Sequence, residues 1–154
     1  MKARAFVLIL VLGVIGVGVG VAENAHMGTW KLNGAKSKLG RGAPKNNTVV
    51  YQAAGDNVQV TIDGTGQDGK PMHNEWMGKF DGKDYPVIGD PTSDARSYTK
   101  INDHTLGFNV QKGGKVTTSG RIVVSADGKS RTVTSSGTDS KGKKFKSIAV
   151  YDKQ

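Results

Sequence analysis

The side chains best suited to acid–base or metal chemistry in this 154-residue chain are three histidines, because the chain has no cysteine. His26 lies near the start of the folded region, where disorder is common. His104 sits in the turn Asn102-Asp103-His104-Thr105, where it is expected to be solvated. His73 stands two residues before Glu75 in a segment that reads as a strand, so both side chains share one face. Such a pair offers two metal ligands, or an acid and a base, but a working site of either kind needs a third convergent group. No serine stands in an activating Gly-x-Ser-x-Gly setting. The expectation is therefore no catalytic residue, no metal site and no cofactor, in a protein that is not an enzyme.

Gly64-Thr65-Gly66-Gln67-Asp68-Gly69 matches the glycine pattern of dinucleotide-binding loops, but Pro71 and an alternating strand follow it. The pyrophosphate of such a site rests on a helix N-terminus, and no helix is due there. Asp63 and Asp68 lack the acidic spacing of a calcium loop. Asn46-Asn47-Thr48 is a glycosylation acceptor, relevant only on a eukaryotic secretory route.

The aromatic residues are more informative. Met72, Asn74, Trp76 and Phe80 fall on one face of their strand, and Phe145, Ser147, Ala149 and Tyr151 on one face of the last. Two readings fit: a filled core, or the wall of a ligand cavity inside a barrel. The mixed, small face of the last strand leaves room for the second reading. Arg121, inside the strand 116–125, is the candidate polar anchor if it points inward, together with Tyr151.

The elements that must position these residues are strands. Val58, Val60 and Ile62 alternate with polar residues, as do Leu106, Phe108 and Val110. Further strands are expected at 28–32, 48–52, 72–80, 85–88, 96–101, 116–125, 131–138 and 145–152, all rich in residues that suit a pleated surface. Between them Gly55-Asp56-Asn57, Asp68-Gly69, Asp81-Gly82, Gly113-Gly114 and Asp127-Gly128 supply hairpin connectors. Asp-Gly-Lys recurs at 68, 81 and 127 as turn punctuation. Nine or ten such strands predict an all-β, antiparallel up-and-down meander, closed on itself because closure removes exposed edges. A β-sandwich is the structural rival. The one long irregular stretch, 33–47, is expected to cross one end of the barrel as a lid or loop.

Lys2 and Arg4 precede an uncharged stretch from Ala5 to Ala22 that ends in Gly20-Val21-Ala22, with small residues at the −3 and −1 positions of a cleavage site. Residues 1–22 therefore read as a signal peptide and 23–154 as a single domain, periplasmic or secreted. An uncleaved anchor is the alternative, which the glycines at 13, 16, 18 and 20 disfavour as a helix. Absence of cysteine excludes a bacterial lipid-anchored form and leaves packing and hydrogen bonding to hold the domain. The net charge of +9 is spread as single lysines beside turns, apart from two denser patches. These are Lys36, Lys38, Arg41 and Lys45, and Lys141, Lys143, Lys144 and Lys146. They are either a solvated surface or a contact for an anionic polymer.

Gly28-Thr29-Trp30-Lys31-Leu32 resembles the Gly-x-Trp opening of the lipocalin and fatty-acid-binding superfamily, and Val150-Tyr151-Asp152-Lys153 the ending of its fatty-acid-binding branch. Gly28-Thr29-Trp30-Lys31-Leu32-Asn33 and Gly82-Lys83-Asp84-Tyr85-Pro86-Val87 also resemble small exported bacterial proteins of unknown function. The resemblance implies a lipocalin-like barrel in which Trp30 plugs the closed end. In the fatty-acid-binding branch an arginine two positions before the final tyrosine holds the ligand carboxylate. Here that position is Ala149, and the stretch 33–47 is too short and glycine-rich for that branch's helical lid. The resulting expectation is an exported protein that holds a small apolar or amphipathic molecule within its barrel. Met72, Trp76, Phe80, Arg121 and Tyr151 would be its ligand-binding residues. The protein is expected to be a monomer without nucleic-acid partners and to touch membrane only through residues 1–22. The alternative is an interaction module whose basic loops bind an anionic envelope polymer or nucleic acid.

Overall fold

The computed structural model describes residues 24–154, and the expected signal segment lies outside them. Ten strands follow one another: β1 (Gly28–Leu32), β2 (Lys45–Ala54), β3 (Asn57–Thr65), β4 (Pro71–Gly78), β5 (Tyr85–Ile88), β6 (Ala95–Asn102), β7 (Thr105–Lys112), β8 (Lys115–Val124), β9 (Ser130–Thr138) and β10 (Lys144–Lys153). Every neighbouring pair is antiparallel, and β1 pairs with both β2 and β10, so the meander closes into a barrel. The sandwich alternative is thereby settled. Among the described residues the only helical turn is a short 3-10 segment, Gly34–Lys36.

Period two decides what enters the barrel. On β10, Phe145, Ser147, Ala149 and Tyr151 are buried while Lys144, Lys146 and Ile148 are exposed. On β4, Asn74 and Trp76 point inward and His73 and Glu75 outward. The three Asp-Gly-Lys turns share one construction. The aspartate carboxylate accepts the N–H of the lysine two residues on, at 3.0 Å for Asp68, 3.1 Å for Asp81 and 3.0 Å for Asp127. The intervening glycine takes positive φ, +71° at Gly128, which side chains other than glycine adopt at a cost. Within the strands, a Cβ at Gly120 would stand 2.8 Å from the Phe108 ring and collide with the carbonyl of Thr134, so this position needs glycine for close approach.

Closure rests on few residues. Trp30 faces Lys153 and Leu32 faces Tyr151 across β1–β10, while Gly28 to Lys31 pair with β2. Because β1 is short, the first half of β10 extends past it, and the stretch after β1 takes that edge. Lys38 and Ile148 exchange N–H···O bonds of 2.7 and 2.9 Å, and the Gly40 N–H donates to Ser147 Oγ at 2.7 Å. The stretch 33–44 is therefore a side wall laid along β10, where a lid or loop across one end of the barrel was expected from its irregular composition. A free strand edge leaves backbone groups unpaired, and this segment satisfies them.

At one end Trp30, fully buried, donates its indole N–H to the His26 carbonyl at 2.9 Å. Trp76 stacks against Phe80 (6.4 Å between ring centroids) and meets Tyr98 edge-on at 4.8 Å, its indole N–H bonded to the Arg96 carbonyl at 2.8 Å. Both indoles bury large apolar surface with their one polar atom satisfied. His26 is buried here as well, edge-on to Phe80, so the start of the domain is packed where disorder was expected.

Candidate functional site

Above this aromatic floor the barrel is not filled. A cavity of about 420 Å³ opens toward the end formed by the β3–β4, β5–β6, β7–β8 and β9–β10 connections, with Leu39, Ala43 and Pro44 of the side wall at its mouth. Its walls include Val49, Tyr51, Ile62, Tyr98, Phe108, Ile122, Val133 and Tyr151, together with Asn74, Ser135 and Ser147. This is the size and the mixture of apolar wall and sparse polar groups found in pockets for small molecules.

Two arginines enter the same cavity. Arg96 on β6 is 5% exposed; its Nη2 donates to Asn74 Oδ1 at 3.3 Å and its Nη1 has no acceptor. Arg131 on β9 is 2% exposed, and its guanidinium lies 4.9 Å from the Trp30 ring centroid, 4.9 Å from that of Tyr51 and 4.8 Å from that of Tyr151. Those three aromatic faces attract the positive charge. They leave the Nε and Nη1 donors of Arg131 unmatched. The ion pairs among the described residues are His73–Asp63, His73–Glu75 and Lys100–Asp103, so neither buried arginine has a carboxylate partner. Buried cations without counterions are costly, so the cavity wall carries two positive charges left uncompensated by the described residues.

Two phenols complete the polar side. Burial, and next the neighbouring Tyr98, push the Tyr51 hydroxyl well above the usual phenol range, with Arg131 pulling the other way. Burial likewise raises Tyr151, whose hydroxyl donates to the Asn46 carbonyl at 3.1 Å. Both hydroxyls therefore stay protonated at neutral pH.

Of the residues expected to bind a ligand, Met72 and Tyr151 line the cavity. Trp76 and Phe80 face inward but stand one layer behind Tyr51 and Tyr98, as the floor and not the wall. Arg121 is a correction: it is exposed on the outer face of β8, while its neighbours Ile122 and Val124 point in. The inward guanidinium beside Tyr151 comes instead from the neighbouring strand, where Arg131 is the register partner of Tyr151. Alternation contained this signal, since Arg96 is two residues from the inward Tyr98 and Arg131 two from Val133. The unbroken run Ile122-Val123-Val124 hides the phase around Arg121.

The histidines do not gather. The imidazole of His73 bonds Asp63 at 2.6 Å through Nδ1 and approaches Glu75 at 3.5 Å through Nε2, all three half-exposed on the outer face of β3 and β4. Asp63 is a third group that its distance in sequence concealed. The carboxylates engage opposite ring nitrogens, so the three do not converge on one point, and no metal-holding group of three occurs among the described residues. Hydrogen bonds that the imidazole donates to Asp63 and then to Glu75 raise the His73 pKa. His26 is the reverse case. Both its ring nitrogens are buried without partners, and burial, followed by Arg131, His104 and Lys100, lowers its pKa to about 4. His104, expected to be solvated, is half-buried.

No family model matches the chain, and no curated protein matches it. Among solved structures the chain is similar to EF1p2_mFAP2b bound to DFHBI, at 12% identity and a TM-score of 0.49 over 84% of this chain and 94% of that one. It is also similar to a redesigned β-barrel, mFAP1, bound to DFHBI, at 18% identity and a TM-score of 0.43 over 84% of this chain and 95% of that one.

Proposed function

We propose that this is an exported, lipocalin-like binding protein that holds a small amphipathic anion inside its barrel. The observation that carries the reading is the pair of buried arginines, Arg96 and Arg131, lining a cavity of about 420 Å³ without a carboxylate partner. The apolar tail of the ligand lies against Val49, Ile62, Phe108 and Ile122. Its anionic group accepts from the free guanidinium N–H donors and from the Tyr51 hydroxyl. Charge-assisted bonds in a site shielded from water are about twice as strong as neutral ones, so the anion sets the preference and the apolar wall supplies affinity. The reading gives the protein no catalytic step.

Decanoate and decanol make the test, because they share a tail and differ in charge. Titration followed by tryptophan and tyrosine fluorescence should show decanoate binding about tenfold or more tightly. Equal affinities would remove the arginines from the site. Binding of neither, together with no small molecule released on denaturing protein taken from its own host, would remove the cavity function.

A further inference from the structure

The two basic runs that stand about a hundred residues apart in sequence form one face of the folded barrel. The exchange of hydrogen bonds between Lys38 and Ile148 lays the side wall along β10, and Gly40 packs directly on the backbone of Lys146. In antiparallel register, opposed residues point to the same side, so Lys38 stands with Ile148, Lys146 and Lys144 on the outside. Gly42 in turn meets Asp139, at the base of the hairpin that carries Lys141 and Lys143. All eight basic residues of the two runs are exposed, and none takes part in an ion pair among the described residues. The nearby acid, Asp139, is held by the backbone N–H groups of Lys141 and Lys143 at 2.9 and 2.8 Å.

We infer that this face docks the barrel onto an anionic lipid bilayer, with the cavity mouth beside the headgroups. Three observations favour lipid over a soluble polyanion. Ile148 (43% exposed) projects among the lysines and Leu39 (37% exposed) stands beside them at the rim of the cavity mouth, and a mixture of basic and aliphatic groups suits the headgroup–acyl boundary. Leu39, Ala43 and Pro44 belong at once to this edge and to the mouth of the cavity, so a docked barrel opens next to the source of amphipathic molecules. Phe145, the aromatic residue in this stretch of β10, is buried inward, which leaves the face without a platform on which nucleic-acid bases could stack. The sequence alone confined membrane contact to residues 1–22; this surface is a second contact, independent of that segment and of any bound ligand.

The test compares the full chain with its Lys38→Gln/Lys143→Gln/Lys144→Gln/Lys146→Gln variant. Both are sedimented with phosphatidylcholine vesicles, with and without phosphatidylglycerol. The apolar leading segment contributes to both vesicle types, so the readout is the preference for anionic over neutral lipid. That preference should be at least about tenfold at low salt, collapse on raising salt, and approach unity in the variant. The substituted side chains are exposed, and an unchanged far-ultraviolet spectrum and decanoate affinity would show that barrel and cavity are intact. Absence of a preference for anionic vesicles, or its survival in the variant, would overturn the proposal. Tighter binding to duplex DNA than to anionic vesicles at equal phosphate concentration would also overturn it. A barrel that ignores decanoate yet prefers anionic vesicles would count against the cavity reading alone.

Discussion

Replacing Arg96 by methionine is expected to make the empty barrel more stable while weakening its hold on a carboxylate. The guanidinium is 5% exposed, makes one hydrogen bond of 3.3 Å to Asn74 Oδ1, and leaves Nη1 without an acceptor. An orphaned buried donor costs about 1–3 kcal/mol, and more when it is charged. Methionine fills most of the stem volume and carries neither the charge nor the donor. Against that gain, the buried Asn74 loses its partner, at about 1 kcal/mol, and a small void opens where the guanidinium was. Trp76 is not disturbed, because its indole bonds the backbone carbonyl of residue 96 and not the side chain. The balance is a gain of about 1 kcal/mol, which raises the midpoint of thermal unfolding by about 4 °C in a domain of this size. Urea unfolding of the ligand-free protein, followed by circular dichroism, measures the first half of the expectation. Titration with decanoate measures the second, as a loss of about tenfold to a hundredfold in affinity. A variant destabilised by 1 kcal/mol or more with unchanged decanoate affinity would show that Arg96 is a structural cation, and the reasoning would fail.

Arg121→Ala, by contrast, should leave both stability (within about 0.5 kcal/mol) and decanoate affinity unchanged, since that side chain is on the outer face; a loss of affinity would place it in the site. Trp30→Ala removes a fully buried indole and the surface on which Arg131 rests, and should cost about 3–5 kcal/mol by urea unfolding; a cost under 1 kcal/mol would mean the closed end repacks without it. His26 makes stability depend on pH. Its folded pKa of about 4 lies below the ordinary histidine value, so between the two the unfolded chain binds a proton that the folded chain refuses. Stability is then fully present well above pH 6.5 and declines by about 3 kcal/mol toward pH 4. His73 acts in the opposite sense: its raised pKa gives stability below the ordinary histidine value that is lost as pH rises through the folded one. Comparing His26→Gln with its parent in a His73→Gln background isolates the first effect, and identical urea midpoints across pH 4–7 in both chains would refute it.

The barrel was legible because alternation and turn chemistry are local. Val58, Val60 and Ile62 declare their face by spacing alone, and each Asp-Gly-Lys turn forms from atoms two residues apart. These features pointed to nine or ten antiparallel strands and to where most of them begin and end, and the barrel has ten. Closure was not local. It depends on β1 meeting β10 more than a hundred residues away, through the pairs Trp30–Lys153 and Leu32–Tyr151, a matter of how far the sheet twists and curls. The site lay beyond the sequence for the same reason. Ile122-Val123-Val124 supports either phase around Arg121, and the alternation that sets Arg96 with Tyr98 and Arg131 with Val133 does not say that the barrel leaves those two arginines beside an open cavity. The side wall 33–44 was irregular by composition; the overhang of β10 beyond β1 gave it hydrogen-bonding partners and joined two basic runs into one face. Strands and their two-sided character follow from neighbours along the chain, and so could be read from spacing and turn residues. Which charged groups lose their water depends on residues brought together from both ends of the chain, and so emerges only when the barrel closes.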